Sequence, residues 1–172
     1  MTVARRARRR PINFQLDMPL GQEWDNIELL RTSILNCLAV VFQNTDFCHT
    51  VSMVGSELLE NALKYGDAQR GDPSLFRVRV SGDEQKVRIE VSNPIVVGSD
   101  NVKNLLATVR WLGRVKSPHE AYAQKLREVA EATGSNQAVS HLGLVRIAYE
   151  GNCKIKATVD DNVLSVSATC RP

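Results

Sequence analysis

Residues 57–66 read Glu-Leu-Leu-Glu-Asn-Ala-Leu-Lys-Tyr-Gly, and the reading of this run decides the fold. Just upstream, Thr50 offers a helix N-cap, and Val51, Val54, Leu58 and Ala62 recur at helical spacing. The segment therefore reads as an amphipathic helix that starts after a polar, turn-like stretch at 44–49 and stops at Gly66. Glu57 and Asn61 stand four residues apart, so they share one face of that helix. Asn is a mediocre helix former, which makes its mid-helix position informative. A carboxylate beside a carboxamide can orient a nucleophile and hold a divalent cation. On spacing alone the pair reads rather as part of a solvated stripe, with Glu60 and Lys64 as an ordinary i,i+4 pair.

Working outward, Trp24, Ile27, Leu30, Ile34, Leu38, Val41 and Phe42 mark one face of a long helix over 24–43. Before it, Ile12, Phe14 and Leu16 alternate as a short edge strand. After the central helix, Phe76, Val78 and Val80 alternate with Arg77 and Arg79, and Val87, Ile89 and Val91 alternate with Arg88 and Glu90. A turn at Gly82-Asp83-Glu84 joins them as a hairpin. Such alternation puts one face on a core and the other in water. A helix over 101–112 follows, and then Ser117-Pro118-His119-Glu120 is a capping box opening another that ends at Gly134. Ser140 caps a last helix over 141–149, and a final hairpin pairs 153–159 with 163–169 through Asp160-Asp161-Asn162. This order predicts an α+β two-layer sandwich, with helices on one face of a mixed, mostly antiparallel sheet. The chain divides into a basic tail, 1–11, and one domain, 12–172.

Composition narrows the function. A hydrophobic content of 43% and a charged content of 24% are those of an ordinary globular protein. The longest apolar stretch, Cys37 to Phe42, is far too short to span a membrane, and the basic start leads into Pro11-Ile12-Asn13 rather than an apolar leader. A cytoplasmic location is therefore expected. Five arginines lie within the first ten residues, and removing them turns the net charge of +3 into −2. No aromatics interleave with those arginines, so nucleic acid is not the expected partner. The cysteines at 37, 48, 153 and 170 lack paired spacing and read as small core hydrophobes in a reducing compartment. His49, His119 and His141 lack metal-ligand spacing, and neither a Gly-x-Ser-x-Gly elbow nor a Gly-Lys-Ser/Thr loop is present.

The run Glu57-Leu-Leu-Glu-Asn61-Ala62-Leu-Lys64-Tyr65 resembles the N-box of the GHKL superfamily of histidine-kinase-like ATPases. Leu142-Gly143-Leu144-Val145-Arg146-Ile147 resembles its G2 box, which closes over nucleotide phosphates before a helix. With Val91-Ser92-Asn93-Pro94, the order of pieces is most similar to the SiaB-type, anti-sigma-factor-kinase-like single-domain regulators of partner switching. The resemblance spans about residues 20–170.

The resemblance implies ATP and magnesium as cofactors. It makes Glu57 the base, puts Asn61 on the metal, and lets Lys64 neutralise developing charge. Amides near Gly143 would hold phosphate. It further implies a partner signalling protein as phosphoacceptor, with a homodimer among the possible assemblies. Two positions depart from the pattern. Asn93 stands where an adenine-reading aspartate is usual, and a neutral carboxamide is the weaker acceptor. His141 stands where a G2 glycine is usual, so its ring either touches phosphate or blocks the site. The helices at 101–112 and 118–133 occupy the position of the superfamily's lid and predict an ordered lid or docking surface. Three functions therefore remain open: a protein serine/threonine kinase, a docking module of the same fold with nucleotide binding weakened or lost, and a plain ATPase or a pseudokinase that receives phosphate.

Overall fold

The central helix forms because a polar cap and a continuous apolar face coincide. In a computed structural model, which describes residues 11–17, 25–67, 76–96, 98–131 and 142–172, this helix runs from Thr45 to Tyr65. Its N-cap is Asn44, whose side chain accepts the Phe47 N–H at 3.0 Å. The expected cap at Thr50 is therefore corrected. The 44–49 stretch is the cap and first turn of the helix, and burial of Phe47 and Cys48 extends the apolar face to its start.

In chain order the elements are β1 (Ile12–Asp17), α1 (Asp25–Ala39), α2 (Thr45–Tyr65), β2 (Arg77–Asp83), β3 (Lys86–Pro94) and α3 (Asp100–Leu112). Then come α4 (Pro118–Glu131), α5 (Leu142–Tyr149), β4 (Lys154–Asp160) and β5 (Val163–Cys170). The strands form one sheet in the order β1-β2-β3-β5-β4. Every pairing is antiparallel, so the sheet expected to be mixed has no parallel pair among the described residues. Among the described residues the connection from β3 to β5 carries three helices and a strand, yet its ends still meet antiparallel.

The helices cover one face of this sheet. Val78, Val80, Ile89, Val91, Leu164, Val166 and Ala168 are buried on that side and join one core with Ile34, Leu38, Val51, Leu58, Leu105 and Ile147. On the other face the register lines up Gln15, Arg79, Glu90, Ser167 and Lys156 as a polar row. The predicted two-layer α+β sandwich is thus what forms. Gly55 sets the spacing of the helix layer, since a Cβ there would lie 2.9 Å from Ile34 Cδ1 and 3.6 Å from Ile89 Cδ1. Helix α2 is thereby seated against both α1 and β3.

Several boundaries move. Helix α1 ends at Ala39, so Val41 and Phe42 pack from the turn after it rather than from the helix. The first hairpin turns at Glu84-Gln85, two to three residues beyond the predicted glycine. The last turns at Asp161-Asn162, both at positive φ (45° and 65°), the two-residue geometry that suits the twist of an antiparallel pair. Ser117 caps α4, its Oγ accepting the Glu120 N–H at 3.2 Å, the N-cap half of the predicted capping box. Ser140, Gly134, Trp24 and the arginine tail lie outside the described residues.

The reading of the cysteines needs correction. Cys153 and Cys170 are disulfide-bonded, with Cα atoms 4.4 Å apart. Lys154 pairs with Thr169, so the register continues to put 153 opposite 170, a contact that sequence spacing could not reveal. Cys37 is exposed rather than a core residue, and Cys48 alone behaves as expected. Burial pushes the Cys48 thiol above its ordinary pKa, which leaves it an inert core group. No described helix is long and apolar enough to cross a membrane.

Candidate functional site

The face of α2 that carries Glu57 and Asn61 meets the first turn of α5. A Cβ at Gly143 would stand 2.4 Å from Glu57 Oε2 and 3.7 Å from Asn61 Nδ2. Only glycine permits that approach while Glu57 keeps its position. Three of the residues picked out in the sequence, Glu57, Asn61 and Gly143, are therefore brought together from helices more than 80 residues apart.

Asn61 is buried, and its Nδ2 donates to the Glu57 backbone carbonyl at 2.7 Å. Only the amide nitrogen can donate to a carbonyl, which fixes the side chain's orientation and leaves Oδ1 as its acceptor. That back-bond explains how a poor helix former is accommodated mid-helix. It also presents the one kind of atom that magnesium takes, a hard oxygen. Among the described residues no group of three or more His, Cys, Asp or Glu gathers. A magnesium ion here would rest on Asn61 together with phosphate oxygens, as such ions commonly do.

Glu57 is not isolated. Its Oε1 accepts from Arg146 Nη1 at 2.9 Å, and the same guanidinium gives its Nε–H to Glu150 Oε2 at 2.8 Å. The Tyr122 hydroxyl reaches the other Glu150 oxygen at 3.5 Å, at the limit of hydrogen bonding. The hydrogen bond to Glu150 is the largest cause holding the Arg146 pKa above its ordinary value, and the charges of Glu150 and Glu57 add to it. One turn from Glu57, Glu60 has its carboxyl pushed up, first by burial and then by the Glu57 charge.

Helix α4 is fastened to this network. Tyr122 stacks on Tyr149 with ring centroids 5.0 Å apart, and His119 meets Tyr149 edge-on at 5.3 Å. The region expected to form an ordered lid or docking surface thus holds two regular helices, and the rings of α4 dock on the end of α5.

Other predicted residues lie elsewhere. Lys64 is exposed and stands 5.9 Å over the Tyr65 ring rather than on Glu60. Asn93 is buried, its Nδ2 donates to the Pro94 carbonyl at 3.1 Å, and it adjoins Gly66 at the C-terminal end of α2. His141 lies outside the described residues. Arg146 was quoted in the sequence motif but given no role there. Its i,i+4 spacing to Glu150 was legible, whereas its partner Glu57 is 89 residues away.

No protein-family model matches the sequence, and no curated protein matches it. Among solved structures, the chain is similar to one in "The crystal structure of SiaB-SiaC complex from Pseudomonas aeruginosa". The TM-score is 0.63 at 17% identity, over 92% of this chain and 88% of that chain. At that identity the likeness speaks for the fold alone, and the fold is SiaB-like.

Proposed function

We propose that this protein is a regulator acting on a partner protein, with a magnesium–ATP site between α2 and α5 from which a partner hydroxyl is phosphorylated. The observation that carries the reading is the convergence of Glu57, Asn61 and Gly143. Glu57 accepts or orients the proton of the incoming hydroxyl, and the hydrogen bond from Arg146 keeps that carboxylate aimed. Asn61 Oδ1 holds the metal, backbone N–H groups of the first turn of α5 hold phosphate, and Lys64 lies on the exposed rim of α2. ATP would supply the phosphoryl group, and magnesium would neutralise its oxygens. Phosphoryl transfer asks a protein chiefly for positioning and electrostatics, which a carboxylate, an amide oxygen and backbone donors supply. The likeness to a chain of a two-protein complex supports the protein partner.

A second reading has its own observation. Glu57 is already engaged by Arg146, and Asn93 turns its amide onto Pro94 rather than outward. These contacts favour a docking module that no longer uses nucleotide. Calorimetric titration of ATP, with and without magnesium, into the protein and a Glu57→Ala/Asn61→Ala variant separates the two. The kinase reading expects magnesium-dependent binding that the variant loses. Absence of binding at millimolar ATP refutes it and leaves the docking module.

A further inference from the structure

The strand order leaves β4 at the sheet edge, beside a cleft of about 510 Å3 that is separate from the Glu57 site. Its walls combine Leu112, Val115 and Pro118 from the α3–α4 corner with Ile155, Lys154 and Lys156 of β4. By register Ile155 faces the helices, whereas Lys154 and Lys156 face the open side of the sheet. With Asn152, Thr169 and Arg171 also on its walls, the cleft wraps the start of β4 and continues along that strand's outer edge. Among the described residues, the β4 backbone has no hydrogen-bond partner beyond β5, so alternate N–H and C=O groups point outward along the cleft.

The charge of the cleft is one-sided. Lys154, Lys156 and Arg171 line it, Arg114 and Lys116 flank it in the α3–α4 corner, and no Asp or Glu is on its walls. Among the described residues none of these five cations is ion-paired. The chain beyond its first ten residues is otherwise mildly acidic, so this concentration is local. Lysines on an edge strand also discourage edge-to-edge aggregation, but that purpose needs neither an apolar wall nor the cations contributed by a second element.

From this we infer that the cleft binds an extended, acidic segment of a partner protein, which adds to β4 as a sixth strand. Main-chain hydrogen bonds to β4 supply affinity. The lysines and arginines select acidic side chains, and Leu112, Val115 and Pro118 receive the apolar residue between them. The backbone edge is what favours a peptide, since a small anion or a nucleic acid would leave those N–H and C=O groups without partners.

The probe is a fluorescein-labelled octapeptide alternating Glu and Val, titrated by anisotropy into the full chain at low and high salt. Binding that weakens with salt is expected, and Lys154→Glu/Lys156→Glu should weaken it by roughly tenfold or more. Circular dichroism confirms that the variant is folded, and Lys154→Gln/Lys156→Gln gives an intermediate loss if folding is a concern. The deciding arm is a pair of peptides N-methylated at every second residue, one in each phase. A strand added to β4 loses affinity in one phase and keeps it in the other. Equal binding in both phases, equal competition by an oligothymidine of the same charge, or no binding by the wild-type chain overturns the inference. The arms use neither ATP nor magnesium, so the inference stands or falls independently of the α2–α5 site.

Discussion

Truncating Arg146 should cost more stability than neutralising the glutamate it pairs with, although both changes remove the same ion pair. The Glu57 side chain is 13% exposed and that of Arg146 is 43% exposed. Arg146→Ala therefore leaves a mostly buried carboxylate without its cation, a loss of about 1–3 kcal/mol for an unsatisfied polar group. Loss of the exposed Arg146–Glu150 pair adds about 0.3–0.5 kcal/mol. Glu57→Gln instead leaves a guanidinium that keeps Glu150 and has access to water. It also removes the charge that helps push up the Glu60 carboxyl. Its expected cost is within about 0.5 kcal/mol. Urea unfolding of wild type, both single variants and the double variant at neutral pH closes the cycle, with an expected coupling of about 1 kcal/mol. If Glu57→Gln costs as much as Arg146→Ala, or the coupling falls below about 0.3 kcal/mol, the pair does not hold Glu57 as described.

Glu60 gives a prediction in pH. Its folded-state pKa is raised, so its contribution is fully present below the ordinary carboxyl range and is lost as pH rises through the raised value. Glu60→Gln should therefore have a higher Tm than wild type at pH 7, with the difference vanishing below roughly pH 4; a constant difference across pH would contradict this. The Cys153–Cys170 disulfide links positions 17 residues apart, and reduction should lower unfolding free energy by about 3 kcal/mol. Identical urea midpoints with and without dithiothreitol would refute that. Asn44→Ala removes the cap of α2 and should cost about 1 kcal/mol, with Asn44→Asp largely retaining it. Hydrogen exchange at the Phe47 amide should accelerate in the alanine variant only.

Elements whose signals are local were legible in the chain alone. Period-two alternation at 76–80 and 87–91 marked one-sided strands, and both are buried on the alternation they predicted. The i,i+4 relation of Glu57 and Asn61 was fixed by helix geometry before any tertiary contact was known. Even the error at Thr50 was local, since Asn44 and Phe47 already carried the earlier cap. Every relation across distance emerged only from packing. The sheet order put β4 at an edge, brought 153 opposite 170, and set Gly143 and Arg146 against Glu57. Such contacts depend on how buried faces stack, and a side chain's own neighbours in sequence carry no record of which distant face will cover it. The candidate site was thus legible as a list of residues, while its geometry followed only once α2 and α5 had packed together.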